Sequence, residues 1–505
     1  MKLIRSLPIW IIVCCVLLIV TALHWISITK LPVFADESIY IRWAQLIIDD
    51  PGQYLFFSLN DGKTPLFIWQ LVPFLSVIKD PLAAARLVAV LGGLFQVMVM
   101  VLLVRELKGG KVAQVLVAAF TAFLPFWFFH HQMALMDGWL TLWLSLTVLA
   151  VLKATQHRLW IAVGGVALGA AFLTKLPAVL FLPSIVVIPF VFNSKDIAKK
   201  LFVSGSILAI GVAIFACLKI SPAFPQLFFR GSDFLFPLSE VLAGTWMQTI
   251  KNIPSYIQYF WSYLSAGVIL LFLAGLAVKK LKRTQLLLLI CFLFFVLPIS
   301  IMGKVVYPRY LLPGSIFLTL GAALAAESLW SASKQMSQRL SVQIFIVAAL
   351  ISAVVSSVSF IDASISNADT IPFVSADRTQ YLTEWSSGHG IQEVHQLIIE
   401  AAKTQKIAVA TEGFFGTLPD GILMYLHNEN VTNIVVEGVG QPLHEVPPKL
   451  IEKKDQYDRL WLVVNSHRLL FDIDKKYLLK EYCRPYNGPC LQLWDMTETI
   501  RSTNK

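Results

Sequence analysis

Apolar runs of about 20 residues, each long enough to cross a bilayer as a helix, recur along this chain. They lie near 8–29, 84–104, 112–129, 138–153, 159–173, 177–193, 201–219, 256–278, 284–302, 310–330 and 341–361. Within lipid a spanning segment must satisfy its own backbone polar groups, so each run reads as a helix. The expectation is an α-helical polytopic membrane protein with about 11 transmembrane helices. The fifth and sixth runs form one stretch broken by Thr174-Lys175-Leu176-Pro177. Composition agrees: of 505 residues 57% are hydrophobic and only 14% charged, against roughly a quarter charged in soluble domains.

The net charge of +10 is unevenly placed. From residue 370 on there are 14 basic and 17 acidic residues, leaving 27 basic and 14 acidic upstream. The basic excess therefore belongs to the apolar part, where it sets topology rather than binding nucleic acid. Arg105/Lys108/Lys111, Lys153/Arg158, Lys195/Lys199/Lys200, Lys279/Lys280/Lys282/Arg283 and Lys334/Arg339 all fall on one side of the alternating spans. By the positive-inside rule that side is cytoplasmic, and Lys2 and Arg5 agree. An odd number of spans puts the C-terminus outside. The chain is thus expected to be multi-pass in the cell (inner) membrane with an extracytoplasmic tail. The first run starts like a signal peptide but is long for one and lacks a small-residue cleavage site before Lys30. It reads as a retained first span.

The division expected is a transmembrane domain over 1–361, with an outer loop at 30–83, and a small extracytoplasmic α/β domain over 362–505. In the loop, Ile39, Trp43, Leu46 and Ile47 recur at helical spacing with Arg42, Gln45 and Asp49 off that stripe. This predicts an amphipathic interfacial helix, with Asp36 near its start as a cap. A second interfacial helix is expected over 66–78. In the tail, strands are expected at 406–411, 433–437, 460–464, 477–482 and 491–494, and a helix at 420–428. The tail has no glycine-rich phosphate loop and no metal-ligand spacing. Of six cysteines, Cys14, Cys15, Cys217 and Cys291 lie in apolar runs and read as packing. Cys483 and Cys490 bracket the turn-rich Arg-Pro-Tyr-Asn-Gly-Pro. They read as a disulfide if the tail is outside and as two free thiols if it is cytosolic.

The same topology collects the 30–83 loop, His130 to Asp137, Lys175 and Lys304 to Arg309 on the outer face. Ionisable groups at a membrane edge are costly, which makes them functional candidates. Asp36 and Glu37 are the leading pair: a carboxylate beside an acceptor hydroxyl or amine is a general base. Asp36 could equally be only a cap beside a solvated Glu37. Lys63, Lys175, Lys304 and Arg309 supply cations that suit a phosphate leaving group, or anchor their segments at headgroups. Asp137 reads as a helix cap or, with His130 or His131, as a metal ligand. Adjacent histidines on a helix do not point the same way, which argues against the metal. A divalent ion on His131 and Asp137 is the one cofactor option the chain offers.

Several motifs together carry a family likeness. Ala35-Asp36-Glu37-Ser38 with Tyr40 and Arg42 comes first, then Gly62-Lys63-Thr64-Pro65-Leu66-Phe67-Ile68-Trp69. Met133-Ala134-Leu135-Met136-Asp137 and Tyr307-Pro308-Arg309-Tyr310-Leu311-Leu312-Pro313 follow. Over roughly residues 1 to 330 the chain resembles the GT-C superfamily of integral membrane glycosyltransferases. Within it, the resemblance is to the group of dolichyl-phosphate-mannose protein mannosyltransferases and lipid A aminoarabinose transferases. The resemblance implies a sugar donor on a polyprenyl phosphate, an outer-face active site, an inverting mechanism, and a protein, lipid or glycan acceptor. It implies Asp36 as base with Glu37 assisting, Arg42 and Lys63 near the donor phosphate, and Asp137 as a second acidic position. Arg309 and Tyr310 match the late Arg-Tyr motif near the lipid phosphate. Lys63-Thr64-Pro65 stands where the group often has Lys-Pro-Pro, and the tail is unlike the β-trefoil insert of the eukaryotic enzymes. Two rival readings stand beside this one. A transporter or lipid flippase would hold its charges near the bilayer midplane on paired broken helices, whereas these lie mostly at helix ends. A sensor would bind its ligand in the tail and dispense with Asp36.

Overall fold

The computed structural model describes residues 8–191, 196–335, 338–429 and 431–502. Lys2, Arg5 and Lys195, used above for topology, lie outside the described residues. The chain forms two compact units. The first comprises Met1–Ile28, Leu55–Trp69 and Arg86–Val374; the second comprises Thr29–Tyr54, Gln70–Ala85 and Ser375–Lys505. The expected boundary at 361/362 falls instead inside a helix, Arg339–Ser366. Two pieces of the 30–83 loop belong with the tail.

The helices used below are, in chain order, α1 (Ile9–Ser27), α2 (Ala35–Asp49), α3 (Leu66–Leu75), α4 (Pro81–Glu106), α5 (Lys111–Phe123) and α6 (Pro125–His130). They continue as α7 (Met136–Ala154), α8 (Leu159–Thr174), α9 (Ile197–Ala216), α10 (Ile253–Tyr263), α11 (Ala266–Gly275), α12 (Lys282–Met302), α13 (Leu312–Ser333) and α14 (Arg339–Ser366). Last come α15 (Ile391–Ala402) and α16 (Asp420–Leu426).

Among the described residues seven helices are long and apolar enough to span, or eight if one bent pair is a single span. Several of the eleven expected runs form shorter apolar helices instead, among them Lys111–Phe123 and Leu159–Thr174. The run at 112–129 is cut by Pro125, which starts α6. The stretch at 159–193 becomes α8 followed by short helical turns over Leu176–Val191, because Pro177 has no N–H to extend the ladder. The run at 256–278 bends by 102° between α10 and α11.

Small residues let these helices approach closely, as apolar lipid-embedded packing requires. A Cβ on Gly267 of α11 would lie 2.1 Å from the Ala349 carbonyl oxygen of α14. Gly267→Ala is expected to destabilise the chain by at least about 2 kcal/mol through this overpacking. Gly205→Ala on α9, which meets nothing within 4 Å, is expected to cost nothing. Thermal unfolding of the two variants in detergent checks both, and equal melting temperatures would contradict the packing account.

The second unit holds a five-stranded sheet in the order β2-β1-β3-β5-β4. Its strands are β1 (Ile407–Thr411), β2 (Ile434–Gly438), β3 (Arg459–Asn465), β4 (Leu478–Cys483) and β5 (Cys490–Asp495). The five expected strands are all present. β1 pairs in parallel with β2 and β3, while β3, β5 and β4 are antiparallel. β1 is buried at every position, which fits its unbroken apolar run and central place. Cys483 and Cys490 face each other across the β4–β5 hairpin and form a disulfide.

Candidate active site

In the second unit α2 begins after Phe34, whose extended backbone is the cap position. Asp36 is the second helical residue and half-buried. The capping expected of Asp36 is done by its neighbour. Glu37 is fully buried, and its Oε2 accepts the Phe34 N–H at 3.0 Å. Two carboxylates in a first helical turn meet the positive end of the helix dipole, so this is a favourable place for paired acids.

The interfacial-helix expectation for 39–47 is corrected. Ten of the fifteen residues of α2 are buried, polar ones included. Gln45, off the apolar stripe, donates from Nε2 to the Met424 carbonyl at 2.8 Å. The Ser38 hydroxyl lies 2.8 Å from the Gly416 carbonyl. The backbone on either side is tied down as well: Ala35 N–H bonds Ser386 O at 2.9 Å and Gly388 N–H bonds Val33 O at 2.8 Å. Buried polar groups held by such partners fix a helix in register. Asp36 is therefore carried on a helix clamped to the segment 413–426 rather than on a mobile surface helix.

Arg42 lies one to two turns beyond Asp36, half-buried, within the field of Asp49, Asp420 and Tyr54. Burial lowers its guanidinium from the ordinary value, and those groups oppose the shift. Its partner Asp420 is pushed up to about 6, mainly by burial, although the Gly416 N–H and Arg42 favour the charged form. A carboxyl raised in the fold contributes stability below its ordinary value near 3.8, and that contribution is lost as pH rises through about 6. Asp420→Asn is expected to gain about 2–3 kcal/mol at pH 7.5, at about 1.4 kcal/mol per unit. It should also flatten the stability profile between pH 4 and 6. Chemical unfolding of the full chain across that range reads both; a variant that keeps the wild-type slope would contradict the assignment.

In the first unit the predicted cations gather around acids and tyrosines. Asp137 is in the first turn of α7, whose cap position is Leu135, so Asp137 is not the cap. Its side chain is 5% exposed and accepts from Lys175 Nζ at 2.7 Å. The chain leaves α8 at Lys175 in an extended conformation, and this break turns the ammonium toward α7. Lys175 Nζ also sits 4.6 Å from the Tyr310 ring centroid. Arg309 is buried, with its guanidinium 5.4 Å from Tyr310 and 5.7 Å from Tyr307. Tyr310 thus stands between two cations as a shared π face. The charges of Arg309 and Lys175 also reach His130, which is buried against Phe126 and Phe129.

A second cluster forms around Asp61, which pairs with Lys63 at 3.0 Å and with Arg230. Lys304 donates to the Ser232 carbonyl at 2.6 Å and holds that same long loop. Neither Asp61 nor Arg230 stands out in the sequence, since no periodicity marks that loop. Arg86 is likewise buried without a sequence signal, donating to the Ile28 carbonyl at 2.8 Å.

His131 is buried against Trp127, while Asp137 is engaged by Lys175. Among the described residues the sole cluster of three or more possible ligand atoms is Glu481, Cys483 and Cys490. Its two sulfurs are spent in the disulfide, so it does not suit a metal.

A bundle of apolar spans, a part-buried ion pair at helix ends and a small sheet domain define a multi-pass membrane protein with an added α/β unit. The family model of dolichyl-phosphate-mannose-protein mannosyltransferases matches residues 62–222, which include Lys63, Asp137 and Lys175. No curated protein matches the chain. Among solved structures, ArnT from Cupriavidus metallidurans in the apo state is similar with a TM-score of 0.62 at 17% identity, over 97% of this chain and 98% of that one. The same ArnT bound to undecaprenyl phosphate gives 0.58 at 14% identity, over 97% and 98%. The apo oligosaccharyltransferase of Archaeoglobus fulgidus gives 0.53 at 12% identity, over 91% of this chain and 70% of that one. The fold is shared with both.

Proposed function

We propose that the chain is a glycosyltransferase that moves a sugar from a polyprenyl-phosphate donor to a protein, lipid or glycan acceptor on the outer face of the membrane. The observation that supports this most is the set of buried Asp137 and Arg309 with half-buried Lys175 and Tyr310, which sits at helix ends in an otherwise apolar bundle. Charges placed there are costly and are functional candidates by default. Lys175 has three N–H donors and gives one to Asp137. The others suit a phosphate, and Arg309 suits its second oxygen pair.

Asp36 takes the proton of an acceptor hydroxyl or amine. The freed lone pair attacks the anomeric carbon from the face opposite the phosphate. The carbon–oxygen bond to the lipid phosphate breaks, and the anomeric configuration inverts. Lys175, Arg309, Lys63 and Arg42 are the cations assigned to the leaving phosphate. Glu37, committed to the Phe34 N–H, positions the start of α2 rather than moving a proton. ArnT has been solved with undecaprenyl phosphate, which is the leaving group such a step would release. The Cys483–Cys490 disulfide favours the extracytoplasmic side for the tail.

Mass spectrometry of lipid extracts from cells lacking the protein tests this reading. A polyprenyl-phosphate sugar should accumulate, and an unchanged lipid-linked sugar pool would contradict it.

A further inference from the structure

Within the second unit a cavity of about 580 Å³ opens between the turn before α4, the outer side of α15 and the end of α16. Its size falls in the range of small-ligand sites, about 300–1,000 Å³. None of the residues assigned to transfer lines it. The geometry points to a second binding site there, for a saccharide unit.

Three features carry the inference. The first is an aromatic wall. Tyr425 and His395 lie 5.4 Å apart with their planes tilted by 34°, a surface against which the C–H face of a pyranose ring can pack. The second is a polar side chain held ready. His395 is 9% exposed, and its Nε2 is buried with no hydrogen-bond partner although the residue lines the cavity. A buried ring nitrogen left unpaired is costly; a ligand hydroxyl that opens the way to Nε2 would donate to it when it is bare or accept from it when it carries the proton. The third is the polar rim. Gln392 and Gln396 are exposed on one turn of α15, and Glu429 is close enough to act on His395. Amide and carboxylate groups beside an aromatic ring match a ligand rich in hydroxyls and poor in charge.

The cavity is also built rather than incidental. Asn428 donates to the Lys79 carbonyl at 3.1 Å, and His427 bonds Asp49 at 2.9 Å. Asp80 Oδ1 accepts the N–H groups of Leu82 and Ala83 at 2.9 and 3.0 Å, which sets the start of α4. Both walls are therefore held by hydrogen bonds, and Gln392, Gln396 and Tyr425 line the space between them. A free phosphate or an anionic lipid headgroup fits poorly, because Glu400 and Glu429 outnumber the one lining cation, Lys79.

The test uses the full chain in detergent with the methyl glycosides of mannose, glucosamine, N-acetylglucosamine and xylose as probes. Saturation-transfer NMR reads contact with the protein. Saturable binding of at least one glycoside is expected. It should be abolished by Gln396→Trp, which fills the cavity from an exposed position, and weakened at least tenfold by Tyr425→Ala. An unchanged melting temperature for Gln396→Trp separates blockage from misfolding. The proposal is overturned if no glycoside binds, or if Gln396→Trp binds as wild type does. The readout is binding alone, so it stands or falls independently of whether the chain transfers sugar.

Discussion

Asp36→Asn is expected to lower sugar transfer by about 10²–10⁴-fold, the range for loss of a general base, with little change in melting temperature. The asparagine keeps the shape of a half-buried side chain in the first turn of α2. It loses only the lone pair that can take a proton. Because Glu37 caps the helix through Phe34, the helix start should survive the change. Glu37→Gln is the informative companion. It weakens a cap and is expected to cost about 1 kcal/mol of stability and a smaller factor in rate. If both variants lost rate equally, the division into base and positioning residue would fail. The comparison needs a radiolabelled polyprenyl-phosphate sugar and a folded, monodisperse variant.

The second large effect concerns Asp137 and Lys175. Lys175→Met leaves Asp137, 5% exposed, without its ammonium. Breaking a buried pair in this way costs about 3–5 kcal/mol, whereas replacing both members by neutral groups is often nearly harmless. Lys175 keeps 23% of its side chain exposed, so a loss of about 3 kcal/mol is expected. The double variant Asp137→Asn with Lys175→Met should recover most of that stability. It should still lose about 10²-fold or more in rate, as removal of an electrostatic stabiliser does. A double variant with near wild-type turnover would show the pair to be purely structural. Thermal unfolding and turnover on the same samples decide it.

The legible parts of the molecule were those set by local pattern. Central strands such as 407–411 announce themselves as uninterrupted β-branched and apolar runs, and the sheet appears where the sequence places it. Motifs at helix ends, such as Asp137 and Arg309, were visible because charge is rare in the surrounding runs. Two things were not legible. Proline breaks decide whether an apolar run is one span or two short helices, and hydropathy is blind to the bend between α10 and α11. Long-range pairing was hidden too. Gln45 and Ser38 look like the wet side of an amphipathic helix, yet their partners Met424 and Gly416 lie nearly four hundred residues away. Asp61 and Arg230 likewise pair across a long gap in the chain.

Sugar transfer requires that the donor's sugar–phosphate bond be broken. Reconstitution of the purified chain in proteoliposomes, with a polyprenyl-phosphate donor labelled in both sugar and lipid, measures this most directly. One free polyprenyl phosphate is expected for each sugar that reaches an acceptor, with both products lowered about 10²–10⁴-fold by Asp36→Asn. Intact labelled donor crossing the bilayer, with no phosphate released, would contradict it and identify a flippase instead.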